Sequence, residues 1–142
     1  MAKEFKVGYK TRNKLQRAIQ QDIQRKGLVD TYALKDSVRI SAVQGDLNRI
    51  TLTVNAIYYF MFLDKGADLW NGGVIEPFNI IEDSIQSNLG QQFLTEVVDS
   101  YMAWMLENYP ILEVGRIVSE PRIFVRYNLY GDPNGTWNGI FD

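Results

Sequence analysis

The chain of 142 residues contains no cysteine and no histidine. These two absences exclude disulfides, thiolate nucleophiles, Cys/His zinc sites and acid-base catalysis by imidazole. The longest apolar run, residues 57–63, is far shorter than the roughly 20 residues that span a bilayer, and the lysine-bearing N-terminus lacks the apolar core of a signal peptide. We therefore expect a protein of the cytoplasm, or of an assembly made there, with no cofactor and no membrane partner.

Phosphate-binding glycine loops are also missing, because neither WNGG nor DPNG has the glycine spacing or the Lys-Ser/Thr ending of a P-loop. Asp64, Asp68 and Glu76 share one loop without the spacing of a calcium loop. Neither Glu82 with Asp83 nor Glu76 with Asp64 shows a spacing that favours a glycosidase pair. The sequence predicts no catalytic residue and no metal ligand. A hydrolase that uses carboxylates alone is kept as a third hypothesis, after the two that are given at the end of this section.

Charge is distributed unevenly along the chain, although the net charge is only -2. Residues 1–40 carry ten Lys and Arg against four Asp and Glu, whereas residues 41–142 carry five against thirteen. This pattern fits two solvated faces, or basic and acidic surfaces that meet neighbouring subunits or nucleic acid. The basic stretch KEFKVGYKTRNK fits either an arm that contacts nucleic acid or a solvated terminus.

The residues that are present predict a folded domain, with 46% hydrophobic and 23% charged. Apolar residues at helical spacing predict a helix within residues 11–27 that ends at Gly27. Alternation with a period of two predicts strands over residues 38–42 and 50–56, joined as a hairpin. The run 57–63 lacks alternation and fits either a strand buried on both faces or a short helical turn.

The second half of the chain begins with a glycine-rich loop over residues 64–77. Helical spacing then predicts one long or broken helix that begins near residue 80, is interrupted near Gly90 and ends before Pro110. Residues 123–129 alternate again before the turn sequence GDPNG, which predicts a C-terminal β-hairpin or arm. The predicted fold is α+β: an antiparallel sheet packs against the N-terminal helix and the long helix. Residues 1–110 form the domain and residues 111–142 the hairpin or arm.

Three segments in order, YALKDSVRI, ITLTVNA and YYFMFLDKG, resemble the phage tail-completion or head-tail joining proteins, the neck-ring family. The resemblance covers residues 10–108. It departs from the family at Ala67, where threonine or serine is usual, in the extra DLWNGG of the loop, and in the tail after Pro110. If the run before Asp64 is a helical turn, its aromatic residues anchor it to the sheet, and the acid-x-glycine ending is the hinge of the loop. The residues that carry the motif are Leu34, Ser37, Val38, Tyr59, Phe62, Leu63, Asp64 and Gly66.

The resemblance implies a structural virion protein, not an enzyme, that forms a six- or twelve-fold ring of identical subunits at the head-tail junction. Portal or connector proteins and tail proteins would be its neighbours, and non-specific contact with DNA in the channel is compatible with this position. We expect the tail to pair at least partly with a neighbouring protein, so that its deletion leaves a folded monomer. A small non-enzymatic protein-binding module of a phage or mobile element is the alternative. The residues expected at the subunit interface are Trp70, Asn71, Trp137, Ile140 and Phe141.

Overall fold

The computed structural model describes residues 4–28, 33–46, 49–68, 71–109 and 122–130. Helices form one layer and a four-stranded sheet forms the other, so the predicted α+β architecture is confirmed. The helices are α1 (Tyr9–Arg25), α2 (Ala33–Ser37), α3 (Phe60–Lys65), α4 (Ile80–Gln86) and α5 (Asn88–Asn108). The strands are β1 (Phe5–Lys6), β2 (Arg39–Asp46), β3 (Arg49–Ile57), β4 (Ala67–Asp68), β5 (Val74–Ile75) and β6 (Arg122–Tyr130).

The main sheet has the strand order β1-β2-β3-β6. β2 and β3 form the predicted antiparallel hairpin, with a bulge between Ile40 and Ala42. The extra residue of a bulge moves the following side chains to the other face. Val43 is therefore fully buried, whereas Ala42, which the alternation places inside, is only half-buried.

Strand β6 changes the prediction for the end of the chain. It pairs with β3 of its own chain in parallel over nine positions, from Arg49 beside Arg122 to Ile57 beside Tyr130. The main sheet is consequently mixed rather than antiparallel, and residues 122–130 belong to it instead of to a separate arm. The expectation of pairing with a neighbouring protein is wrong for the edge of β6 that faces β3. Residues 110–121 and 131–142 lie outside the described residues.

Helix α1 ends as the sequence predicts. Gly27 has a φ of 73°, and Leu28 N–H donates to the carbonyl of Ile23 at 3.0 Å, which is the bond that closes a Schellman motif. The predicted long helix is broken into α4 and α5 at Ser87, whose hydroxyl accepts from Gly90 N–H at 3.1 Å. Gly90 permits this close turn, because a Cβ there would lie 2.0 Å from the Ser84 carbonyl oxygen.

The core lies between the sheet and the helix layer. From the sheet, Phe5 reaches α5, where its ring meets Tyr101 edge to face at 5.4 Å. Alternate residues of β3, and Tyr127 and Leu129 of β6, point toward the helices and are buried, and no helix covers the opposite face of the sheet among the described residues. The fully buried residues of the sheet's inner face and of the helices include Leu15, Ile19, Ile23, Val38, Ile50, Leu52, Val54, Phe93 and Val97.

Candidate functional site

The first part of the family-like motif ties α2 to the sheet. Leu34 and Val38 are buried in the core. Between them, the hydroxyl of Ser37 donates to the Leu34 carbonyl at 2.7 Å and accepts from Ile57 N–H at 3.1 Å. The Ser37 carbonyl in turn accepts from the Tyr130 hydroxyl at 3.1 Å. This serine therefore joins the end of α2 to the ends of β3 and β6, and its hydroxyl serves the fold.

The aromatic run resolves into the end of β3 and the short helix α3, so the helical alternative holds. Phe60 and Asp64 are the two buried residues of α3. They are four positions apart and lie on one face of the helix. The predicted anchors Tyr59 and Phe62 are both half-buried, as is Leu63, and Tyr59 and Leu63 pack against the edge of the core. Phe60, which sequence reasoning missed, is the anchor, and its ring lies 6.2 Å from that of Tyr127.

Asp64 connects three elements from a buried position, with 2% of the residue exposed. Its Oδ1 accepts from Ile81 N–H at 3.0 Å, and its Oδ2 accepts from the Tyr127 hydroxyl at 2.5 Å. Helix α4 needs this acceptor, since Asn79 at its own N-cap has a left-handed φ of 52° and makes no side-chain cap bond. Asp64 of α3 thus caps α4, and its bond to Tyr127 links β6 to these two helices.

Electrostatics around Asp64 favour a neutral phenol. Burial, together with the hydrogen bond and the negative charge of Asp64, raises the pKa of Tyr127 well above its ordinary value. The tyrosine therefore stays protonated and donates. This pair is fully committed inside the fold, so it offers no nucleophile and no general base to a substrate.

Gly66 sets the direction of the loop that follows. Its φ is 79°, and a Cβ there would lie 2.7 Å from the Ile75 carbonyl oxygen. The chain then forms a small antiparallel hairpin of β4 and β5. Asn71 is exposed, and its Oδ1 accepts from Gly73 N–H at 2.9 Å within the turn. Trp70, the predicted contact at the tip, lies outside the described residues, as do Trp137, Ile140 and Phe141.

The carboxylates considered as ligands or catalysts do not converge. Asp68 and Glu76 are exposed, whereas Asp64 is buried and occupied. Asp83 accepts from Lys26 Nζ at 2.7 Å. Within the described ranges, no group of three or more acidic residues could hold a metal ion, and no helix is long and apolar enough to cross a membrane.

Lys26 links the C-terminal end of α1 to the start of α4. Its Nζ lies 2.7 Å from Asp22 Oδ2 and donates to the Phe78 carbonyl at 2.6 Å. Burial lowers the pKa of Lys26, but the carboxylates of Asp22 and Asp83 raise it more strongly, and the net shift is upward. Asp22 is itself buried and also pairs with Arg25, so this ion cluster is structural.

The open face of the main sheet carries five cations and one acid among the described residues. We define the open sheet face by the side chains that alternate with the buried ones. It includes polar residues at Gln44, Thr51, Thr53, Asn55 and Asn128, the aromatic residues Phe124 and Tyr130, and a single acid, Asp46. Its five cations are Lys6, Arg39, Arg49, Arg122 and Arg126, all exposed.

Sequence reasoning missed this face, although part of its signal is visible. Arg122 and Arg126 alternate with apolar residues, which indicates that both point away from a core. That they lie beside Arg49 depends on the parallel pairing of β3 with β6, across more than sixty residues of intervening sequence, from 58 to 121. No local pattern specifies such a pairing.

No family model matches the chain, and comparisons with curated proteins and with solved structures likewise find no match.

Proposed function

We propose that the chain is a structural virion protein that assembles into a ring at the phage head-tail junction. The proposal rests on the resemblance of residues 10–108 to the neck-ring proteins, and on the way the motif residues are used. The observation that carries it is Asp64. An acid in a motif invites a catalytic interpretation, but here each of its oxygens is hydrogen-bonded within the fold.

The remaining motif residues support the same interpretation. Leu34 and Val38 pack in the core, Ser37 links α2 to two strands, and Gly66 permits a close approach of backbone. A motif of this kind specifies a scaffold. Catalytic groups, by contrast, must reach a substrate in a cleft. We therefore infer that the chain acts through contact with other macromolecules.

The described surface offers suitable contact elements. The β4–β5 hairpin extends beyond the core with Val74 60% exposed, and Gly66 fixes its direction. On the outer side of α5, Met102 and Leu106 are exposed one turn apart. A ring requires two different patches on each subunit that fit each other, and separate apolar patches meet this need. Trp70 and Asn71 at the hairpin, and Trp137, Ile140 and Phe141 near the C-terminus, remain the predicted interface residues.

Native mass spectrometry and negative-stain electron microscopy of the full chain test the proposal. We expect closed rings of six or twelve copies. Val74→Asp should weaken assembly, whereas the control Gln86→Asp, an exposed position on α4, should leave it unchanged. A monomer at micromolar concentration that binds one stable partner would instead identify the protein-binding module of the alternative hypothesis.

A further inference from the structure

We propose that the open sheet face binds the phosphate backbone of nucleic acid. Among the residues that the structure describes, five cations from all four strands of the main sheet share this face with one carboxylate, Asp46. The chain has a net charge of -2 and also carries five cations on α1, but two of those, Lys14 and Arg25, are paired with acids. A basic patch on one face of a domain is the electrostatic signature of proteins that neutralise phosphates.

The folded structure places like charges beside each other on this face. Arg49 and Arg122 are direct neighbours in the β3–β6 ladder. Two like charges directly opposite on adjacent strands repel each other. Within the described part of the chain none of the five cations forms an ion pair; Arg39 donates only to the carbonyls of Asp36 and Val38. Asp46 on β2 is the register partner of Arg49 and offsets part of its charge, so an anionic ligand would relieve the repulsion that remains, above all at Arg122 and Arg126.

Aromatic rings complete the pattern. Phe124 is 40% exposed and Tyr130 is 47% exposed. On the open sheet face Phe124 lies next to Arg126, and Tyr130 lies beyond Asn128 on the same strand. The Arg49 guanidinium lies 4.3 Å from the centroid of the Phe124 ring, a cation–π contact between β3 and β6. Exposed aromatic rings among cations provide stacking surfaces for bases. A row of half-buried polar residues on β3 separates the cations of β1 and β2 from those of β6; it consists of Thr51, Thr53 and Asn55. Their hydroxyl and amide groups can donate hydrogen bonds to phosphate oxygens.

The rival occupant of this face is an acidic protein surface. Helix α5 contains three acids, Glu96, Asp99 and Glu107, and no cation. The same helix of a second copy could therefore dock on the open sheet face. Nucleic acid fits better for two reasons. Glu96 is already paired with Lys14. The apolar side chains of such a helix would also offer no hydrogen-bond partner to the row of hydroxyl and amide groups.

Fluorescence anisotropy with the full chain tests the proposal. The probes are a labelled single strand of about 30 thymidines and a duplex of the same length. We expect binding to both at about 50 mM salt that weakens steeply toward 200 mM. The double variant Arg122→Ala/Arg126→Ala should lower the affinity about tenfold or more, and should reduce the salt slope by about 0.7 per removed contact on the single strand or 0.9 on the duplex.

Two further variants make the result decisive. The control Arg17→Ala/Lys65→Ala removes the same charge from exposed positions on α1 and α3 that form no ion pair among the described residues, and should change the affinity less than about twofold. Phe124→Ala should weaken the single strand selectively if bases stack on the ring, whereas an equal effect on both probes identifies backbone binding alone. No binding by the full chain at low salt, or equal losses with the control, would overturn the proposal. A change in oligomer size without any change in oligonucleotide binding would assign the face to a second copy of the chain.

Discussion

Removing the Asp64 side chain should be among the most damaging single changes in this fold. Asp64→Ala leaves the Ile81 N–H and the Tyr127 O–H, both bonded inside the protein, without an acceptor. Each buried donor that loses its partner costs about 1–3 kcal/mol, so the expected loss is about 2–6 kcal/mol. Small domains have a total free energy of unfolding of about 5–15 kcal/mol, so the variant should be close to unfolding.

Urea denaturation followed by far-UV circular dichroism measures this loss. Asp64→Asn keeps the shape and one acceptor oxygen, and should cost less than Asp64→Ala. Tyr127→Phe removes the other partner, and a double-mutant cycle of the two conservative changes should show a coupling energy of about 0.5–3 kcal/mol. Asp68→Ala, an exposed acid in the same loop, is the control and should stay within about 0.5 kcal/mol of the parent. A cost below about 1 kcal/mol for Asp64→Ala would show that Asp64 does not hold the three elements together.

Three further outcomes follow from the packing and from the pKa of Tyr127. Phe60→Ala should cost about 3–5 kcal/mol in urea denaturation, because Phe60 is fully buried, whereas the half-buried Phe62→Ala should cost about 1–2 kcal/mol; the reverse order would restore the register predicted from the sequence. The raised pKa of Tyr127 predicts a loss of stability at alkaline pH, since the unfolded phenol releases its proton near pH 10 while the folded one retains it. This contribution is complete below about pH 10 and declines as the pH rises further, so urea midpoints at increasing pH should fall less steeply in Tyr127→Phe than in the parent, and identical slopes would contradict the assignment. Ending the chain at residue 109 should abolish cooperative unfolding, because it removes β6 and with it the buried Tyr127 and Leu129; a soluble, cooperatively folded fragment would show that β6 is dispensable.

The sequence by itself determined the elements whose signals are local. Periodicity and a terminal glycine located α1, since the buried face and the left-handed Gly27 both depend on residues within a few positions of each other. Alternation located the β2–β3 hairpin and the strand at 122–130 for the same reason. The sequence also marked Asp64 and Gly66 as motif residues, because an acid-x-glycine ending after an apolar run is visible in the residues alone.

Only the tertiary structure decided what those residues do. The bulge after Ile40 moves the following side chains of β2 to the other face. The start of α3 at Phe60 makes Phe60 the buried aromatic residue of the helix. The two acceptor roles of Asp64 join positions 17 and 63 residues away. The parallel pairing of β6 with β3 brings Arg122 beside Arg49 and so creates the open sheet face. Contacts of this kind depend on loop closure over long separations, whose cost is met by the packing of the whole core, and no short window of sequence contains that information.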